Sequence, residues 1–205
     1  MTVRLLVATT NSGKQREFRR LLAHLPAEIV TPDGIGLELD VDEPHHTYAE
    51  NASAKAEAYC RASGLLTVSD DSGIEVAALD WGPGVRSARW GEGSGSPAER
   101  LVERLRGVAD RRARMVCALA LGIPGPDGPS IEVFEGVVEG SVAASPRGEG
   151  GFGYDPIFLL PTGRTTAELS EADKDRVSHR GRAVAAVTPR LMRLLGQDPP
   201  VPPDR

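Results

Sequence analysis

The sequence has only two cysteines, Cys60 and Cys117, and no Cys-x-x-Cys pair. A disulfide framework is therefore excluded, and two buried free thiols in a reducing cytoplasm are expected. It has no excess of basic residues: 24 Lys and Arg against 29 Asp and Glu leave a net charge of -5. A nucleic-acid binder would normally show a basic face, so that class is disfavoured, whereas a small anionic ligand at one local cluster is not. No apolar run approaches the roughly 20 residues that cross a bilayer. Val3 to Ala8 is too short for the core of a signal peptide, and no internal repeat or low-complexity tract occurs. What remains is an ordinary globular composition, 205 residues with 40% hydrophobic and 26% charged, enough for one domain with a substantial core. One domain over residues 1–196 is expected, followed by a Pro-rich, disordered tail over 197–205.

The chain is organised around Ser69-Asp70-Asp71-Ser72-Gly73. Leu65 to Val68 reads as a buried strand, and an apolar pattern resumes from Ile74 to Leu79. The Ser-Gly pair is expected to turn the chain between them. On an unbroken strand neighbours point to opposite faces, so Asp70 and Asp71 share a ligand only if the chain bends. Carboxylates at the end of a buried strand are costly unless they hold a cation or accept hydrogen bonds.

Val3 to Ala8 forms a first strand that runs through Thr9-Thr10-Asn11-Ser12-Gly13-Lys14 into a helix with Phe18, Leu21, Leu22 and Leu25 on one face. A strand, a Gly-containing loop and a helix offer backbone N–H groups to a phosphate, and Lys14 adds a full charge. It is not a P-loop, because the first glycine is absent and Gln15 stands where Ser or Thr would bind magnesium. Glu28 to Thr31 is a second strand, and Asp33 to His46 an acidic loop carrying Asp42 and Glu43. His45 and His46 lack a partner at ligand spacing and belong on the surface. Thr47 and Glu50 have capping-box spacing, opening a helix to Gly64 with Asn51 and Lys55 on one face. Residues 80–96 read as a long irregular loop, and Pro97 starts a helix that buries Ala98, Leu101, Val102 and Leu105. Met115 to Ile123 fits a central strand and Ile131 to Ala143 one or two strands, together an antiparallel hairpin. Gly148 to Asp155 is a glycine-dense loop in which Phe152 or Tyr154 supplies a stacking surface. After a short strand at Pro156 to Leu160 come Lys174, Ser178-His179-Arg180-Gly181 and a last helix, which Pro189 is expected to kink or restart.

Six stretches occur together and in order: Ala8 to Lys14; Tyr48 to Ala52 with Lys55 and Ala56; Asp70 to Gly73; Pro83 to Val85 with Ser87 to Arg89; Gly150 to Pro156; and Ser178 to Gly181. In these the chain resembles the inosine triphosphate pyrophosphatase family, the bacterial XTP/dITP diphosphatases. The departures are mild: Tyr48 stands where the family usually has Phe, and Pro189 interrupts the last helix. The resemblance implies an α/β fold, a mixed and strongly twisted central sheet flanked by helices, with two lobes and an active-site cleft between them, and a homodimer. It implies hydrolysis of non-canonical purine nucleoside triphosphates (ITP, dITP, XTP) to the monophosphate and pyrophosphate, with magnesium. By motif matching Asp71 becomes the catalytic carboxylate and a magnesium ligand, with Glu43 a second acid near the metal. Thr9, Thr10, Asn11, Ser12, Gly13, Lys14, Ser72, Phe152, Gly153, Tyr154, Asp155, Lys174, His179 and Arg180 become substrate contacts.

The residue chemistry agrees. Lys14, Lys174 and a metal could neutralise a triphosphate, Asp71 could take a proton from the attacking water, and Phe152 could stack on the purine. Arg180 only donates hydrogen bonds, and His179 can donate from either nitrogen, so the pair suits the six-keto oxygen of ITP and XTP rather than the amino group of ATP. GTP shares that oxygen, so its exclusion needs another element, and the Gly150 to Asp155 backbone is the candidate. Two alternatives remain: a Maf-like pyrophosphatase for other nucleotides, against which Ser-His-Arg-Gly argues, and a non-catalytic nucleotide-binding module, against which the intact acid pair argues.

Overall fold

Eleven consecutive residues, Leu66–Val76, form one unbroken strand. The turn expected at Ser72-Gly73 does not exist. Gly73 and both serines accept extended backbone, and pairing on either side holds them there. The computed structural model describes residues 2–90 and 95–197. The strands in chain order are β1 (Val3–Val7), β2 (Ala27–Val30), β3 (Leu66–Val76), β4 (Gly82–Pro83), β5 (Arg112–Ile123), β6 (Ser130–Val142) and β7 (Phe158–Leu159). The helices are α1 (Ser12–Leu21), α2 (Tyr48–Ser63), α3 (Pro97–Arg104), α4 (Glu171–Val177) and α5 (His179–Leu194). The strands hydrogen-bond in the order β2-β1-β3-β5-β6-β7, with β4 on β3. β1 runs parallel to β2 and β3, while β4 and β7 are antiparallel to their neighbours. β5 and β6 are neighbours joined by only a short turn, which is too short for a parallel crossover. The class is mixed α/β, as expected.

The chain divides into two compact units. One takes the residues up to Asp70, the hairpin tip Ala118–Glu135 and the chain from Ala183 onward. Its sheet core is β1, where Leu5, Leu6 and Val7 are buried, with Phe18, Leu22 and Leu25 of the α1 side also closed to solvent. Gly122 in β5 lets the hairpin tip approach α2: a Cβ there would lie 3.0 Å from the Cys60 Cβ and 3.1 Å from the Ala56 carbonyl oxygen. Cys60 and Cys117 are both free and buried, and burial pushes the Cys60 thiol up. The other unit takes Asp71–Cys117 and Gly136–Arg182. Its core gathers Ile74 and Val76 of β3, Leu101 and Leu105 of the α3 side, Val138 and Val142 of β6, and Tyr154, Ile157 and Phe158.

Two further readings differ from the structure. α5 does not restart at Pro189: the helix continues from His179 to Leu194, with Val187 and Leu191 on either side of the proline fully buried. The loop after Leu79 is partly regular, holding β4 and a 3₁₀ turn over Gly84–Arg89; residues 91–94 of it lie outside the described residues. Lys174, for which the sequence suggested no element, lies on a helix, α4, capped by Ser170. Residues 198–205, most of the expected tail, also lie outside the description. No helix among the described residues is long and apolar enough to cross a membrane.

Candidate active site

In the first unit, β1 delivers the chain into the loop Thr9 to Lys14. Asn11 caps α1 by accepting the Lys14 N–H at 3.1 Å, and the Thr9 hydroxyl accepts the Asn11 N–H at 3.3 Å. Gln15 ties the loop further, donating to the Thr9 carbonyl at 2.9 Å and to Asp33 at 3.1 Å. Thr10, Asn11 and Ser12 are exposed at the helix start and Gly13 is buried. The parallel register that sets Val7 beside Val68 brings Lys14 alongside Asp70. The Lys14 ammonium sits 3.0 Å from a carboxylate oxygen of the fully buried Asp70 and donates to its carbonyl at 3.4 Å. The acid left without a role in the sequence thus fixes the lysine at the start of α1.

Asn51, Lys55 and Tyr59 recur every fourth residue along α2, and all three hold the acidic loop. The Asn51 amide oxygen accepts the His45 N–H at 3.0 Å and its nitrogen donates to the His45 carbonyl at 3.4 Å. Lys55 is ion-paired with Glu43. The Tyr59 hydroxyl donates to the Leu39 carbonyl at 3.1 Å. This rail was not read from the sequence, where polar residues on one helix face look solvated. The signal was available: Ala52 and Ala56, which flank them, mark that side of the helix as packed, and Asn51 itself is buried. His45 and His46 are exposed, as expected.

In the second unit, Asp71 follows Asp70 on an unbroken strand, so the two side chains leave opposite faces. One Asp71 carboxylate oxygen accepts the Ser72 N–H at 2.9 Å. The Ser72 hydroxyl accepts from the Arg180 guanidinium at 3.0 Å, across 108 positions of chain. The glycine-rich loop wraps around Asp155, which is buried. Its carboxylate accepts the Phe152 N–H at 2.7 Å and the Thr166 hydroxyl at 2.9 Å, and is ion-paired with Lys174. Gly151 has φ +72° and a Cβ there would come within 2.1 Å of the Asp155 carboxylate, so only glycine allows this wrapping. The Lys174 ammonium then lies 5.2 Å and the Arg180 guanidinium 5.8 Å from the centre of the Phe152 ring. Phe152 itself is half-exposed. The Tyr154 hydroxyl donates to the Ser87 carbonyl at 2.7 Å, and burial pushes it up to about 12, so it remains a donor.

α4 and α5 meet at Ser178, which closes one helix through its N–H to the Lys174 carbonyl at 2.8 Å and opens the next by accepting the Gly181 N–H at 3.0 Å. His179 and Arg180 occupy the first turn of α5 and are both buried. A Cβ at Gly181 would fall 1.8 Å from the Asp175 carbonyl oxygen, so glycine alone lets the helices come this close.

Each unit therefore assembles its own set. Thr9 to Lys14 and, separately, Glu43 on its rail belong to the first; Asp71, Ser72, Phe152, Gly153, Tyr154, Asp155, Lys174, His179 and Arg180 belong to the second. Tyr154 and Asp155 direct their polar atoms into the protein, as scaffold for the loop. Among the described residues no three His, Cys, Asp or Glu side chains group as a metal cage. The donors on offer are single carboxylates, which suits a hard cation that keeps waters and takes substrate oxygens as further ligands.

The Ham1 family model matches residues 5–190. The chain belongs to the Ham1 family. It is 45% identical to a dITP/XTP pyrophosphatase of Nitrosomonas europaea over 97% of each chain. It is 47% identical to a dITP/XTP pyrophosphatase of Symbiobacterium thermophilum, over 94% of this chain and 96% of that one. Among solved structures, a HAM1 protein from Coxiella burnetii superposes with a TM-score of 0.79 at 34% identity, covering 95% of this chain and 99% of that one.

Proposed function

We propose that this Ham1 protein hydrolyses non-canonical purine nucleoside triphosphates (ITP, dITP and XTP) to the nucleoside monophosphate and pyrophosphate, removing them from the nucleotide pool. The observation that carries the reading is the half-exposed Phe152 ring with Lys174 and Arg180, which only donate, lying over it: an aromatic group and fixed donors gathered where a flat base could be read. A keto oxygen satisfies such donors; an amino group opposes them, at a cost of about 1–3 kcal/mol per buried group left unpaired. His179, buried beside Arg180 in sequence, is assigned to the same edge. Lys174 belongs on this side too, since its charge is already committed to Asp155.

The phosphates are assigned to Lys14 and to the backbone N–H groups that open α1, where the helix dipole favours negative charge. Asp71 is the catalytic carboxylate, taking a proton from the water that attacks the α-phosphorus while pyrophosphate leaves. Magnesium fits the oxygen donors present, with Asp71 and Glu43 the proposed ligands; bound there it would offset triphosphate charge. The rail of Asn51, Lys55 and Tyr59 fixes the loop that carries Glu43. We assign the enzyme to the cytoplasm, as its free thiols suit, and to a homodimer, which sedimentation would detect.

Pyrophosphate release from ITP, XTP, ATP and GTP, with magnesium and with a chelator, tests the proposal. Rapid, metal-dependent release from ITP and XTP against slow release from ATP supports it. Equal rates on all four, or none on ITP, contradict it.

A further inference from the structure

Ser72 makes two hydrogen bonds with opposite ends of the candidate chemistry. Its N–H donates to the Asp71 carboxylate at 2.9 Å, and its hydroxyl accepts from Arg180 at 3.0 Å. Arg180 is 2% exposed, among the largest fully buried side chains, and its guanidinium also lies over the Phe152 ring. An arginine this deeply buried has few rotamers open to it, so whatever moves its fork moves the hydroxyl it holds. The Ser72 hydroxyl can turn about its own Cα–Cβ bond, so any coupling runs through the Ser72 backbone, whose N–H the Asp71 carboxylate accepts. One residue therefore joins the group that faces the base to the group that handles the proton.

We propose that Ser72 is a positioning residue that couples recognition of the base to the orientation of the Asp71 carboxylate. It rests on the reading of Asp71 as proton acceptor and Arg180 as base reader. A keto oxygen that accepts from Arg180 keeps the guanidinium in line with Ser72, and Asp71 stays aimed. An amino group there repels the fork, pulls on the Ser72 hydroxyl and turns the carboxylate away. Discrimination then appears in kcat as well as in KM, although Asp71 never touches the base. A serine that only contacted substrate would change the binding of every triphosphate alike.

The test is a double-mutant cycle on kcat for ITP and ATP with Ser72→Ala, Arg180→Ala and both together. Ser72 is only half-buried and its strand pairs through backbone, so the hydroxyl can be removed without opening the core. Ser72→Thr keeps the hydroxyl and serves as the conservative control, with melting temperatures recorded for every variant. The expected result is an ITP-over-ATP kcat ratio that falls about tenfold in Ser72→Ala, the size of one charge-assisted hydrogen bond. It recovers in Ser72→Thr and falls no further when Ser72→Ala is added to Arg180→Ala. A ratio unchanged in Ser72→Ala, or two effects that simply multiply, overturns the coupling while the enzyme remains a keto-purine pyrophosphatase. A wild-type protein that does not turn over ITP overturns the functional reading and this inference with it.

Discussion

Asp71→Asn removes one charge at nearly constant volume and still accepts the Ser72 N–H through its amide oxygen. Turnover of ITP is expected to fall at least about 100-fold, the lower end of what a positioned proton acceptor contributes, with the melting temperature little changed. A folded variant with near-normal turnover would remove Asp71 from the chemistry. Lys14 is different, because it neutralises the buried Asp70 as well as being the proposed phosphate contact. Lys14→Ala leaves that carboxylate without its ammonium and is expected to cost about 3 kcal/mol of stability. Adding Asp70→Asn should restore the melting temperature but not triphosphate affinity, while IMP affinity stays normal. If triphosphate affinity returns with the stability, Lys14 is structural only. At this scale the sequence was informative about residue types and silent about their engagements. Asp155 and Lys174 read equally well as substrate contacts; that they spend their charges on one another depends on a fold bringing together positions 19 apart.

Elements were legible where period and caps agreed. Thr47 accepts the Glu50 N–H at 3.2 Å and Gly64 ends α2 at φ +66°, as their types suggested. The Ser72-Gly73 pair misled, as did Pro189 in suggesting a restart, because local propensity was outweighed by burial on both sides of the supposed break. Two predictions belong to elements. Gly181→Ala pushes a Cβ against the Asp175 carbonyl, backbone that cannot swing aside, so α4 and α5 must part. A loss of about 3 kcal/mol is expected, lowering the melting temperature by roughly 6–12 °C for a chain of this length. An unchanged melting temperature would show the helices to be less closely packed. α5 is also clipped to β6 by Arg190, which meets both Glu132 oxygens at 3.0 Å. The Arg190 hydrogen bond holds the Glu132 carboxyl below its ordinary 4.5. A depressed carboxylate stabilises the fold above the unfolded value and loses that contribution as pH falls through the lower, folded one. The melting temperature should therefore drop more steeply below about pH 4.5 in the wild type than in Glu132→Gln. Parallel curves would leave the pair without weight.

For the molecule as a whole, two units that interleave in sequence could not be drawn from local pattern, since the division falls inside β3, β5, β6 and α5. The family was legible all the same, because six short motifs in order carry more information than any period. The central claim is that water attacks the α-phosphorus of a keto-purine triphosphate. The direct measurement is hydrolysis of ITP by the wild-type protein in ¹⁸O-enriched water, with the products separated and weighed. The prediction is IMP and pyrophosphate in equal amounts, with the label in the IMP phosphate and none in the pyrophosphate. Label in pyrophosphate, or products that are IDP and inorganic phosphate, would contradict it.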